Sequence, residues 1–500
     1  MARKSIRDPD SSQAYRRLPS VEEVLQLEAV EALTSQHPRE LVALFVRDVL
    51  DSWRADIRNG RLSADELESR LASDALAAAV SARAALEARK GLRRAINATG
   101  VVLHTGLGRA PVHPEVAESM RAAAAGYCVL EVDRETGERS ERDARFSELC
   151  ARLTGAEAAI AVNNNAAAVY LLLQAFVPPS IEAAREVARE VPAAREVIVS
   201  RGELVEIGGS FRIPDVMAKA GVVLREVGTT NRTRIEDYAA AIGPRTALLM
   251  KVHTSNFRLQ GFVHEVSASA LASLAAERGL PSAYDLGSGL LEAPAAAPLP
   301  GLESEPRVRE AVASGVDVVT FSGDKLLGAP QAGLAAGKAQ AIARLRKDPV
   351  YRALRLDKVA LAGLERTLEL LLAGRGDELP ARRMLRLTAA ELRPRADELA
   401  RALNRLSGVR AEVRSDASQP GSGSAPGVDL PTFVVSVRHG RLAAEALARG
   451  LRQGEPPVFA RIQEGRLLLD PRTLLAGEDE ELARALAGAI ERLSIAPDGA

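Results

Sequence analysis

Cysteine is nearly absent: Cys128 and Cys150 are the only two in 500 residues. That count excludes a disulfide framework. It also excludes a structural zinc site, which needs four Cys or His ligands that six scattered histidines do not supply. A reducing cytoplasm is the expected compartment. No uncharged apolar run is long enough to span a bilayer, and the basic start MARKSIRDPDSSQAYRRLPS has no apolar stretch behind it. The sequence therefore predicts a protein neither secreted by that route nor membrane-spanning. Net charge is absent too, with 66 Lys+Arg against 66 Asp+Glu. This argues against a dedicated nucleic-acid coat while leaving room for a local basic patch. Neither GxGxxG nor GxxxxGK[ST] occurs, so dinucleotide and P-loop readings lack their fingerprint. What is present is a 47% hydrophobic, 26% charged composition that can bury a core, over a length that implies two or three domains.

Residues 20–92 read as helix throughout, with Val24, Leu25, Leu27, Val30 and Leu33 at helical spacing and Ser63 with Glu66 placed as a capping box. From Ile96 the texture changes to short Val- and Ile-rich runs, each followed by Gly, Asn or Asp and then a helical stretch. Such runs lie at 196–203, 247–256, 281–289 and 316–325. Strands alternating with helices predict an α/β fold with a mostly parallel sheet covered on both faces, its ligands at the strands' C-terminal ends. After a helix from Val359 to about Leu372, the alternation of MLRLTAAELRPRADELARALNRL, VRAEVRS, the loop DASQPGSGSAPG, TFVVSVR, AAEALARGLRQ and VFARIQEGRLLLDPRTL reads as a small α+β domain. The expected division is 1–80, 81–374 and 375–500. A charged insertion at 178–195 and a loop at 291–306 are expected to be dispensable to the chemistry.

Three constellations carry chemistry. In SGDKLLGAPQAG (322–333), Lys325 follows an apolar strand, where desolvation would lower its pKa and free the amine as a nucleophile; Ser322 adds a hydroxyl for an anion. Asp285 ends the strand PSAYDL on the same sheet, where a carboxylate can keep a pyridine nitrogen protonated. Asn164, Asn165 and Ala166, between an apolar strand and an Ala-rich helix, offer a phosphate seat at a helix N-terminus. Taken singly, each has a bland alternative: a surface lysine, a turn-capping Asp, an Asn helix cap.

In that order the three match the aspartate aminotransferase-like (type I) pyridoxal-phosphate enzymes. The runs INATGVVLHTGLGRAPV (96–112), SRGELVEIGGSFRIPDVMAKAG (200–221), VGTTNRTR, KVHTSNFRLQGF, DLGSG, TFSGDKLLGAPQAG and RALRLDK resemble the bacterial selenocysteine synthase family, the L-seryl-tRNA(Sec) selenium transferases. The resemblance covers nearly the whole chain, with small departures at Gly106 and Ala329. It implies that Lys325 holds pyridoxal 5'-phosphate, that Asp285 pairs with the ring nitrogen, and that Asn164, Asn165, Ala166 and Ser322 receive the phosphate. It implies further that seryl-tRNA(Sec) loses its β-hydroxyl to give an aminoacrylyl-tRNA, to which selenophosphate adds. Arg109, Arg352 and Arg355 would bind that donor, and Asp324 would assist in proton handling. Arg352 and Arg355, three apart, would share one helical face. His104 and His253 lie beside these motifs and are left out of the catalytic set.

A tRNA partner needs phosphate contacts. Between 81 and 110 stand Arg83, Arg89, Lys90, Arg93, Arg94 and Arg109 against a lone Glu87. The family implies that the N-terminal helical module grips the tRNA and that the protein assembles as a decamer. Two other readings compete. One is a pyridoxal-phosphate lyase or aldolase for a small free amino acid, against which residues 1–80 argue. The other is a non-catalytic tRNA-binding relative, against which intact Lys325, Asp285 and the three arginines argue.

Overall fold

The computed structural model describes residues 14–88, 90–177, 196–207, 211–292, 297–421 and 423–495; the insertion expected at 178–195 lies outside them. The chain separates into two compact units, Met1–Arg94 and Ala95–Ala500.

The first unit is helical, with helices Val21–Leu25, Glu28–Glu31, Arg39–Arg58, Ala64–Leu71 and Ser73–Ala88. The stretch expected as helix throughout is thus interrupted, and the interruptions have local causes. Pro38 stands at the N-cap of the longest helix, Gly60 takes a left-handed φ of 67° after it, and Ser63 with Glu66 forms the expected capping box. Val46, Leu50, Trp53 and Val80 are among the side chains that close its core. The position expected to end this module, residue 80, lies inside the helix Ser73–Ala88.

The second unit opens with β1 (Ile96–Ala98) and β2 (Val101–Leu103). Next come β3 (Ala158–Val162), β4 (Glu196–Ser200) and a ribbon of β5 (Glu206–Ile207) with β6 (Phe211–Arg212). They are followed by β7 (Val223–Val227), β8 (Thr246–Val252), β9 (Ser282–Gly287), β10 (Val318–Ser322) and β11 (Gly333–Gly337). It closes with β12 (Val409–Gly421), β13 (Leu430–His439), β14 (Val458–Gln463) and β15 (Arg466–Leu469).

A seven-stranded sheet has the order β3-β11-β10-β9-β8-β4-β7, parallel except for β11, which runs against both neighbours. Alternation along the strands feeds two cores. Tyr284, Leu286, Val319 and Phe321 pack with Phe146, Leu149 and Leu364 on one face, while Ala283, Val318, Leu248 and Met250 pack with Ala168, Leu171 and Leu172 on the other. Coverage of both faces is why these strands read as unbroken apolar runs.

The second sheet has the order β1-β14-β15-β13-β12-β2, covered by helices Ala389–Leu403, Ala444–Arg452 and Glu478–Ile495. Three features depart from the sequence reading. MLRLTAAELRPRADELARALNRL is two helices, because Thr388 and Glu391 form a capping box in its middle. β12 runs through half of the expected loop, because Ser418 still pairs with Leu430 and Gln419 and Gly421 pair with Val101 and Leu103 of β2. β1 and β2, from the segment expected to be catalytic core, complete this sheet. No helix among the described residues is long and apolar enough to cross a membrane.

Candidate active site

Parallel strands deliver their C-terminal ends to one edge of the sheet, and register decides which residues meet there. Asp285 of β9 lies opposite Val252 of β8 and Thr320 of β10. Ser322 ends β10 opposite Gly333, which lies opposite Val162 at the end of β3. Glycine is required at 333, since a Cβ there would collide with the Asn164 carbonyl. That close approach brings the Asn163–Asn165 turn onto the edge. Asn165, 120 residues before Asp285, donates from Nδ2 to its Oδ1 at 2.7 Å. Thr320 Oγ1 and the Gly287 N–H donate to the same oxygen at 2.9 and 3.3 Å. Oδ2 receives none of the three. Asp285 is only 5% exposed, and burial pushes its carboxyl above the ordinary range, opposed first by the Asn165 and Thr320 hydrogen bonds and then by the charge of Lys325.

Asn164 caps the helix Asn165–Phe176, its side chain accepting from the Ala167 N–H at 2.9 Å. Of the residues expected to receive a phosphate, Asn164 therefore serves its own helix and Asn165 holds Asp285. Ala166 stands in the helix's first turn and Ser322 is buried on the neighbouring strand.

Lys325, 6% exposed, donates from Nζ to the Gly423 carbonyl at 3.1 Å. Burial, joined by the Arg109 guanidinium, lowers its pKa; Asp285, Asp324 and Glu305 oppose the shift. Gly423 has a φ of 71°, and a Cβ on it would come within 3.0 Å of Nζ. Arg109 pairs with Asp324 at 2.6 Å and holds a φ of 65°, a left-handed conformation that costs a non-glycine residue about 1–3 kcal/mol.

The other two arginines do not share a helical face. The helix Pro349–Leu354 carries an exposed Arg352 but ends before Arg355, which leaves it in extended conformation because Asp357 must cap the next helix. Arg355 bridges to Val162 and faces Glu131 at 3.4 Å, so it stands beside the Asn163 turn. At least half of the basic run is ion-paired. Arg83 is held by Asp48 and Glu87, Lys90 by Glu87 and Arg109 by Asp324, while Arg89 lies outside the described residues.

Several residues at this edge were not singled out from the sequence. Thr320 had a readable signal, a hydroxyl flanked by apolar residues within the strand. Glu305, from the loop expected to be dispensable, is buried; it accepts a hydrogen bond from Ser288 and lies 3.5 Å from His253 Nε2. The His253 backbone N–H donates to the Asp285 carbonyl at 2.8 Å. Behind them Glu203 binds Lys251 Nζ at 2.6 Å and the Val252 N–H at 3.0 Å.

Known proteins resemble this chain along nearly its whole length. An L-seryl-tRNA selenium transferase profile matches residues 95–475, and a selenocysteine synthase N-terminal profile matches residues 15–54. The L-seryl-tRNA(Sec) selenium transferase of Moorella thermoacetica is 45% identical over 489 residues, covering 96% of this chain and 98% of its own. That of Aquifex aeolicus is 41% identical over 482 residues, covering 94% and 98%. A solved D-glucosaminate-6-phosphate ammonia-lyase superposes with a TM-score of 0.56 at 26% identity, covering 82% of this chain and 99% of that one. The α/β architecture, with its mostly parallel seven-stranded sheet, is that of the aspartate aminotransferase-like (type I) fold. Matched from its helical start through its last strands, the chain belongs to the L-seryl-tRNA selenium transferase family.

Proposed function

We propose that this protein converts L-seryl-tRNA(Sec) to L-selenocysteinyl-tRNA(Sec) with selenophosphate as selenium donor, using pyridoxal 5'-phosphate at the Lys325–Asp285 edge. The observation that carries the cofactor reading is the asymmetry of Asp285, whose three donors converge on Oδ1 and leave Oδ2 for the proton of a ring nitrogen. A buried carboxylate with a raised pKa needs a cationic partner to stay charged, and a pyridinium fits. The adjacent desolvated amine of Lys325 fits the aldehyde, and the first turn of the helix Asn165–Phe176 fits the phosphate. The bound cofactor supplies an electron sink for proton loss at the serine Cα.

The chain's own groups do the rest. Lys325 Nζ, a neutral amine more readily than an exposed lysine would be, takes the Cα proton and returns one to the departing β-hydroxyl. Asp285 Oδ2 holds the ring-nitrogen proton, while Asn165 and Thr320 fix the carboxylate. Asp324 aims the Arg109 guanidinium, which binds the donor anion together with Arg352 and Arg355. The N-terminal helical unit selects the tRNA, and within the larger unit the seven-stranded sheet performs the chemistry, while residues 375–500, joined by β1 and β2, form the small α+β domain. The protein works in the cytoplasm as a homo-oligomer, a decamer by family resemblance. The exposed Tyr127, Val129 and Val132, clustered in sequence, support a subunit contact.

Purified protein given seryl-tRNA(Sec) and selenophosphate is expected to form selenocysteinyl-tRNA(Sec), and Lys325→Ala to lower the rate by at least about a hundredfold. Absence of product with both substrates present would overturn the reading.

A further inference from the structure

A cavity of about 320 Å³ opens beside Lys325, walled on one side by Ser255 and Asn256 after β8 and on the other by residues 419–421 at the end of β12 and 423–429 beyond it. Gly423, whose carbonyl accepts from Lys325 Nζ, belongs to that wall, so whatever occupies the cavity lies next to the reacting amine. Its polar groups are incompletely matched. Ser424 is 2% exposed, and its hydroxyl has no hydrogen-bond partner among the described residues. Asn256 donates from Nδ2 to the Glu206 carbonyl at 2.5 Å while its Oδ1 is left without a partner. An unmatched buried hydroxyl or amide is costly unless a ligand or water completes it.

Charge narrows the occupant. Among the described residues lining the cavity none is cationic, and Asp429 at the mouth is acidic. A multiply charged donor anion is unsuited to such a wall, and so is the α-carboxylate of a free amino acid. A neutral group bearing several hydroxyls fits, because it can donate to Asn256 Oδ1 and Asp429 and exchange hydrogen bonds with Ser424. The volume is at the small end of ligand cavities, enough for about one nucleoside.

We propose that this cavity binds the terminal ribose of the aminoacylated substrate, the hydroxyl-bearing group to which the serine is esterified, and thereby prefers a seryl ester to free serine. The inference rests on the function proposed above. It places the neutral end of the substrate on the Gly423–Asp429 side of Lys325 and the anionic selenium donor on the Arg109 side.

The test uses the full chain loaded with pyridoxal phosphate and three probes: a stable 3'-seryl-amido-adenosine, L-serine methyl ester and free L-serine. The change in the cofactor's visible absorbance gives each affinity. The adenosine probe is expected to bind about tenfold more tightly than the methyl ester, roughly the worth of one or two well-placed hydrogen bonds, and free serine more weakly than either. Ser424→Leu, which fills the cavity, should erase the advantage of the adenosine probe while leaving the methyl ester unchanged. Because Ser424 is buried, a second variant at the exposed mouth guards against misfolding: Asp429→Lys should tighten free serine severalfold by supplying a cation. An adenosine preference that survives Ser424→Leu, or free serine binding as tightly as its ester, overturns the cavity assignment alone. No absorbance change with any probe overturns the proposed function beneath it.

Discussion

Each of the two large sheets carries a buried aspartate at its edge, and the two are satisfied differently. Asp470, after β15 in the six-stranded sheet, accepts at both oxygens: Ser418 Oγ reaches Oδ2 at 2.7 Å, while Thr432 Oγ1 and the Arg472 N–H reach Oδ1 at 3.0 Å. Beside it, the buried Arg472 guanidinium donates to Ser418 Oγ and to the carbonyls of Met384, Leu387 and Pro431. Asp285 takes all three of its donors on one oxygen. A carboxylate matched at both ends is a rivet, whereas one matched at a single end is held in place with its other oxygen offered to a ligand.

The strongest way to break this comparison is Asp285→Asn, which keeps an acceptor for Asn165 and Thr320 but removes the charge at the offered position. Turnover is expected to fall at least about a hundredfold with little change in the denaturation midpoint; turnover within tenfold of the parent would strip the asymmetry of functional meaning. Asp470→Ala should do the reverse. It leaves Arg472 buried and uncompensated, so urea denaturation should show a loss of about 3–5 kcal/mol while the folded fraction keeps its turnover. A loss under about 1 kcal/mol would mean the network is not a rivet.

A third carboxylate sharpens the contrast more gently. Glu365, partly buried on the helix Lys358–Leu372, is pushed up to about 7 by burial and then by Glu369. Its folded pKa lies above its unfolded value of 4.5, so its contribution to stability is complete below that value and is lost as pH rises through about 7. Glu365→Gln should therefore raise Tm by about 2–4 °C at pH 8.5 and leave it unchanged at pH 4.5. Equal shifts at both pH values would show that Glu365 is not protonated in the folded state.

Much of the site was legible because its parts are local: an apolar strand ending in Asp, Asn or Ser-Gly-Asp-Lys announces its own C-terminal edge. Asn165, Asp285 and Lys325 meet where such ends must meet in a parallel sheet. What escaped depends on contacts distant in sequence. Gly423 reaches Lys325 across 98 residues, and its glycine- and serine-rich surroundings look like any loop. Glu305 sat in a stretch with no periodicity at all. The shared face of Arg352 and Arg355 failed over one residue, because spacing by three predicts a common face only while the helix continues, and Asp357 ends it.

The pairing of β1 with β14 and of β2 with β12 also bears on how the molecule is made. Ile96 and Leu103, both fully buried in the finished protein, leave the ribosome long before their partners Val458 and Gly421. At about 5–20 residues per second, Ile96 waits roughly 20–70 s for its partner. During that interval an apolar strand edge stands open on the nascent chain, and the second sheet can close only once nearly all of the protein has been synthesised. Truncation anywhere in the last strands therefore strands the beginning of this unit as well as its end.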